Sequence, residues 1–263
     1  MPSNSHRSSL LVATTVALIG ATAAAVAFEP LLRAQSAPAP KAEAPAPPTL
    51  PPDEEKRFAD AWAQQPRTNL GIAAGGAKVV IVKFNDYLCT GCRVWHEQYQ
   101  PLIEKYQKEA PGAVKLVMKD WPWNNRCNFR SSTLMGHEAS CEAAVAVRMA
   151  RDRGKEHDME AWLWAEQTKL IDMRMKSQTA AADAVKAKAT SLLALKPGEF
   201  ESGYSARLLA IRQDVADGVA LSVDSTPIYY VNGVKTTQPQ PGGNLPPQYF
   251  DAALRIELKK AVK

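Results

Sequence analysis

Residues 79–96 read VVIVKFNDYLCTGCRVWH. The first part is a β-branched apolar run, Val79-Val80-Ile81-Val82, which continues through Lys83 to Phe84 and follows Gly75-Gly76. A short run of this kind bounded by glycines reads as a buried strand. The second part holds Cys89 and Cys92, separated by Thr90 and Gly91. From Cys92 to Lys108 apolar residues recur at helical spacing, with Pro101 marking a kink and Pro111-Gly112 ending the segment. A Cys-x-x-Cys pair therefore stands where a strand hands over to a helix. The first turn of a helix offers unpaired N–H groups and the positive end of the dipole, which stabilise a thiolate. A cysteine there becomes a nucleophile near neutral pH, and a second cysteine one turn on can resolve the mixed disulfide it forms. Cys89 is the expected attacker and Cys92 the expected resolver.

Other uses of the pair are weaker. Haem attachment requires histidine directly after the second cysteine, and residue 93 is arginine. A four-cysteine zinc site would need Cys127 and Cys141, whose spacing is not a second Cys-x-x-Cys. A metal-binding module could instead use Cys89, Cys92 and His96; against that, His96 reads as an exposed helix histidine. A purely structural disulfide across so tight a loop gains little from closure.

Outward from this stretch, Asp53 opens a helical pattern through Phe58, Ala59, Trp62 and Ala63, and Val114–Met118 reads as a second strand. Four helical segments follow, at Cys141–Arg153, Asp158–Leu170, Ala180–Leu195 and Phe200–Val215. The texture then returns to strand at Pro227–Val231. Asn232-Gly233 is a strong hairpin signal, and Val234 begins the returning strand. Pro246-Pro247 open a closing helix with Tyr249, Phe250, Ala253, Leu254 and Ile256 on its apolar face. The two ends form one α/β sheet, and residues 128–223 are a helical insertion within it.

The chain has 263 residues, 46% hydrophobic and 22% charged, which suits one domain or at most two and excludes a wholly disordered or polytopic membrane protein. Its 32 basic and 27 acidic residues give a net charge of +5 with no long basic run, so a nucleic-acid partner is not expected. Leu10 to Phe28 carries no charge, with Arg7 before it and Glu29 after it. This order keeps the N-terminus in the cytoplasm and exports the rest. Residues 1–28 are either a signal peptide cleaved after Ala25-Val26-Ala27 or an uncleaved membrane anchor. The Pro/Ala-rich residues 29–53 read as a spacer, and 54–263 as the folded domain. The expected location is periplasmic or otherwise extracytoplasmic.

The strand–Cys-x-x-Cys–helix unit, with Ser225–Gly233 (STPIYYVNG) and Leu245–Leu254 (LPPQYFDAAL), resembles the thioredoxin fold. With the helical insertion it resembles the DsbA-type thiol-disulfide oxidoreductases. The same stretches are similar to the DsbA-like domains that partner, or are fused to, vitamin K epoxide reductase homologues. The resemblance spans about residues 55–263. It implies that Cys89 is the nucleophilic cysteine, Cys92 the buried one, and Pro227 the cis-proline beside them. It also implies that Thr226 offers backbone groups to a substrate peptide, with Thr90 and Gly91 lining the same contact. The implied activity is disulfide exchange with exported cysteine-containing proteins in the oxidase direction, with a reductase or isomerase as the rival. A quinone-linked membrane partner of the DsbB or vitamin K epoxide reductase type would reoxidise the pair, and no cofactor is implied.

Departures from that pattern matter. Lys83 stands six residues before Cys89, where the family carries a buried acid; it would favour a thiolate, or else be a strand-edge lysine reaching solvent. Asp86 would supply the missing acid or lie in a surface loop. Cys127 and Cys141 enclose a polar segment and are expected to form a structural disulfide, with an electron relay as the alternative. Trp121-Pro122-Trp123 would either hold unfolded peptide near the cysteines or pack against the insertion.

Overall fold

β1 (Val79–Asn85) is buried along its whole length because it is an inner strand with a neighbour on each side. In the computed structural model, which describes residues 49–237 and 243–260, the sheet order is β2-β1-β3-β4. β2 (Val114–Asp120) pairs with β1 in parallel, from Val79 opposite Val114 to Asn85 opposite Asp120. β3 (Ile228–Val231) runs antiparallel on the other side of β1, and β4 (Val234–Lys235) closes a hairpin. The turn is Asn232-Gly233, at φ 47° and 81°. Two positive φ values give the type I′ geometry that matches strand twist, which is why this dipeptide suits it. The Asn232 side chain also accepts from Val80 N–H at 2.8 Å, tying the turn to the inner strand.

Alternation along β1 decides what each face meets. Val79 and Ile81 pack with Trp62 of α1 (Pro52–Ala63), with Tyr99, Leu102 and Ile103 of α2 (Thr90–Glu109), and with Phe250 and Leu254 of α7 (Pro247–Lys259). Val80, Val82 and Phe84 face the other way, against Trp121 and against Val215 of α6 (Glu199–Ala220). Pro101 lies inside α2 without ending it.

Between β2 and β3 come α3 (Ser140–Arg151), α4 (Glu156–Asp172), α5 (Ala180–Leu193) and α6. They share their own apolar core, which also takes in Tyr87, Leu88 and Cys92 beside the sheet. α3 is buried on nearly all sides, which its run of alanine and valine permits. α6 reaches the sheet at Gly218, whose missing side chain makes room for the Trp121 ring. A buried ion network reinforces that join: Arg148 meets Asp120 at 2.6 Å and also Asp214, and Lys119 meets Asp214 at 2.9 Å and Asp217 at 2.7 Å.

The first helix begins at Pro52, so the expected spacer ends slightly earlier than residue 53. The expected signal or anchor segment lies outside the described residues. Among the described residues no helix is long and apolar enough to cross a membrane.

Candidate active site

Cys89 is the N-cap residue of α2, in extended conformation, and Cys92 lies in the helix's first turn. Cys89 is partly exposed, Cys92 is fully buried, and both are thiols. The turn holds them in this order because Cys89 N–H donates to Asp86 O at 3.1 Å and Asp86 N–H donates to the Cys92 sulfur at 3.4 Å. The Cys92 thiol donates to the Cys89 sulfur, and this bond lowers the Cys89 pKa from 9.0 to about 6. The Thr226 side chain and the Cys92 N–H act in the same direction, against burial and the charge of Asp86. Cys92 moves the other way: burial, then its donation to Cys89, pushes its pKa well above 9.0. One sulfur is thus an accessible thiolate at neutral pH and the other a protected thiol.

The Thr226–Pro227 peptide is cis and lies across the pair. Thr226 O accepts from the Cys89 thiol at 3.6 Å. Gly91 sits between them: a methyl group added there would lie 3.7 Å from Pro227 Cδ and 3.8 Å from the Cys89 sulfur. The indole N–H of Trp123 donates to the Thr226 hydroxyl at 2.8 Å.

Asp86 is not in a surface loop but almost wholly buried. Its carboxyl group accepts from Leu88 N–H at 2.8 Å, Trp123 N–H at 2.7 Å and the Ser140 hydroxyl at 2.9 Å, and it meets His137 Nδ1 at 2.7 Å. Four partners compensate its removal from water. Burial disfavours the His137 cation, but the hydrogen bond to Asp86 and the nearby Cys89 outweigh it, and its pKa is raised from 6.5.

Lys83 is not a strand-edge lysine. β1 has a neighbour on each side, and alternation turns Lys83 to the face of Val79 and Ile81, toward α2. Its ammonium lies 5.2 Å from the Trp164 ring and 5.5 Å from the Tyr229 ring, buried and without a hydrogen-bond partner among the described residues. Burial lowers its pKa, and Cys92, Glu160 and Cys89 partly offset that. Glu160 of α4 accepts from the Tyr87 hydroxyl at 2.6 Å.

This geometry has a family. A protein-family model described as Thioredoxin matches residues 68–245, well over half of the chain. The chain belongs to the thioredoxin family. No curated protein matches it. Among solved structures, alpha-DsbA1 of Wolbachia pipientis is 15% identical with a TM-score of 0.51, covering 69% of this chain and 86% of that one. A double cysteine-to-alanine variant of that protein gives 14%, 0.52, 70% and 87%. A thioredoxin-like oxidoreductase from Silicibacter pomeroyi is 22% identical with a TM-score of 0.45, covering 72% and 92%. The fold is thus the thioredoxin-like fold with DsbA-like neighbours.

Within this thioredoxin-family frame the insertion supplies much of the polar environment. Gln167 of α4 is buried and donates to both Tyr87 O at 2.8 Å and Cys89 O at 3.0 Å, clamping the loop between β1 and α2. It was missed, although a glutamine on the stripe of Met159, Leu163 and Leu170 is the kind of signal that marks a buried contact. His137, Ser140 and Glu160 were missed too, and no local pattern announces them. Cys127 and Cys141 form a disulfide with Cα atoms 5.8 Å apart. The bridge closes the loop that brings His137 and Ser140 to Asp86. His96 stacks on Trp164 with ring centroids 5.1 Å apart, and it is half-buried rather than exposed. Among the described residues no three His, Cys, Asp or Glu side chains converge on a point that could hold a metal ion, so His96 does not complete a site with the two cysteines. Trp121 packs against the insertion, whereas Trp123 turns to Thr226.

Proposed function

We propose that this chain is a thiol-disulfide oxidoreductase that works outside the cytoplasm and forms disulfides in cysteine-containing proteins. The observation that carries this reading is the asymmetry of the pair: a partly exposed Cys89 with its pKa lowered to about 6, above a buried Cys92 whose pKa is raised.

In the forward direction a substrate thiolate attacks the Cys89 sulfur of the Cys89–Cys92 disulfide. The S–S bond breaks, and Cys92 leaves as a thiolate and takes up a proton. Lys83 stabilises that thiolate by charge while it lasts. Thr226 presents its backbone beside the mixed disulfide, where an extended substrate segment can pair with it. A second substrate thiolate attacks the substrate sulfur and expels Cys89. The substrate loses two electrons and the cysteine pair gains them. A thiol of low pKa leaves readily, so the lowered Cys89 value favours this last step. Asp86 holds the loop that sets both sulfurs. The exchange balances on sulfur alone, and the reading includes no cofactor. Reoxidation falls to a membrane quinone-linked partner of the DsbB or vitamin K epoxide reductase type, a role supported by the export segment expected at residues 10–28.

The test is the reduction potential of Cys89–Cys92 against glutathione, in a variant with Cys127→Ala and Cys141→Ala. An oxidase gives a value nearer the about −120 mV of a strong oxidant than the about −270 mV of a reductase. A value near the lower figure refutes the oxidase direction and supports a reductase or isomerase. Failure of the wild-type chain to oxidise a reduced model protein, with Cys89→Ala equally inert, refutes the activity as a whole.

A further inference from the structure

Trp123 is bound into the site at both ends. Its backbone N–H donates to Asp86 Oδ2 at 2.7 Å, and its carbonyl accepts from Leu134 N–H at 3.1 Å. Its indole N–H then reaches Thr226 Oγ1 at 2.8 Å. An indole nitrogen only donates, whereas a hydroxyl carries one proton and two lone pairs. The indole therefore fills an acceptor position of Thr226 and leaves the hydroxyl proton for another acceptor. The Cys89 sulfur lies 3.6 Å from the carbonyl oxygen of the same threonine.

We propose that Trp123 is a positioning residue for Cys89, turning the Thr226 hydroxyl so that its proton points at the Cys89 sulfur. This deepens the oxidoreductase reading and rests on it. The two polar atoms of Thr226 then serve the two states of the sulfur. The carbonyl accepts from the thiol, and the hydroxyl donates to the thiolate once the thiol proton has gone. Without the indole donor the hydroxyl is free to rotate to other acceptors, and the thiolate loses a hydrogen bond for part of the time. The Thr226 side chain lowers the Cys89 pKa, the direction that such a donation requires. Trp123 also packs at the margin of the apolar cluster around Phe84 and Trp121. A test must therefore separate the N–H group from the ring.

Trp123→Phe keeps a ring and removes the donor. The thiolate absorbance of the reduced full chain is followed against pH in the wild type, Trp123→Phe, Thr226→Val, Thr226→Ser and the Phe variant combined with each Thr226 change. Trp123→Phe is expected to raise the Cys89 midpoint by about one unit, the scale of a hydrogen bond to a charged group. It should do so in the Thr226→Ser background, which keeps a hydroxyl, and add nothing in the Thr226→Val background, which lacks one. A Phe variant with an unshifted midpoint overturns the proposal, as does an equal shift in the Thr226→Val background. A second measurement needs no variant: the nuclear magnetic resonance signal of the Trp123 indole proton should titrate with the Cys89 midpoint, and a signal flat across that range overturns the proposal as well. Disulfide exchange with a model protein is assayed separately. A wild type that does not exchange sinks the functional reading, whereas an unshifted Phe variant in an active enzyme sinks only the role of Trp123.

Discussion

The lowered pKa of Cys89 makes the potential of its disulfide depend on pH with a bend near pH 6. Reduction takes two electrons and, below that value, two protons. A tenfold change in the equilibrium of a two-electron couple is about 30 mV, so two protons give a slope of about −59 mV per pH unit and one proton about −30 mV. Above about pH 6 Cys89 remains a thiolate after reduction and only Cys92, whose pKa is raised, takes a proton. The slope should therefore halve there. The displacement can be worked out. At about pH 7 a thiol of pKa 9.0 is about 1% ionised and one of about 6 is about 90% ionised. The reduced form gains a factor of about 11, or about 1.4 kcal/mol, which makes the disulfide about 30 mV more oxidising than an unshifted pair. The sign follows because the thiolate exists only on the reduced side, so stabilising it raises the potential. The assay equilibrates the protein, with Cys127 and Cys141 both changed to alanine, in thiol buffers of known potential from about pH 5 to about pH 8. The reduced fraction is then read by thiol alkylation. A single slope of about −59 mV per unit across that range would refute the reasoning, since it would mean that Cys89 keeps its proton like an ordinary thiol.

Three further outcomes are expected. Lys83→Met removes a charge that lowers the Cys92 pKa, so Cys92 should leave less readily and the oxidised pair should form the mixed disulfide with a model substrate several-fold more slowly; trapping by rapid acid quench measures it, and an unchanged rate of formation would exclude Lys83 from that step. Changing Cys127 and Cys141 to alanine opens a 14-residue separation and should cost about 3 kcal/mol in denaturant unfolding, with a loss well under about 1 kcal/mol counting against a constraint on the unfolded chain. Gly218→Ala would place a methyl group 2.5 Å from Trp121 Cζ3 and 3.0 Å from Phe84 Cε1, so thermal and denaturant unfolding should show a loss of about 1–3 kcal/mol; a neutral result would mean that α6 can lift from the sheet freely.

Sequence reading reached those parts of the site whose signals are local. Cys89 and Cys92 at a strand–helix junction, Thr226-Pro227 before a strand, and Asn232-Gly233 in a hairpin each depend on a few adjacent residues, and the structure places them within one frame. What escaped was which element lies beside which. Lys83 read as a possible edge lysine because nothing in VVIVKFN says that β1 has neighbours on both sides; pairing with β3, about 145 residues further on, decides it. Asp86 read as surface because its partners come from other stretches of chain: Trp123 follows β2, and His137 and Ser140 are brought in by the loop that the Cys127–Cys141 disulfide closes. Periodicity tells which face a residue occupies, but not what the fold will set against that face.

The same distinction bears on redox direction. The dipeptide Thr90-Gly91 contributes little polar chemistry of its own to either sulfur; Gly91 adds only van der Waals surface against Pro227 and Cys89. After the hydrogen bond between the two sulfurs and burial, which act most strongly, the groups that act on the two pKa values lie elsewhere: the Thr226 side chain, to which Trp123 donates, the Asp86 backbone that donates to Cys92, and Lys83 with Glu160 of α4 behind it. Gln167 of the same helix fixes the carbonyl of Cys89 itself. A hydrogen bond to a charged sulfur is worth about 1.5–3 kcal/mol, and about 1.4 kcal/mol corresponds to about 30 mV, so moving any one of these groups outweighs a change of apolar surface within the Cys-x-x-Cys turn. Beyond the two cysteines themselves, the potential of this pair is therefore tuned from outside the turn, by Thr226 with Trp123 and by Lys83.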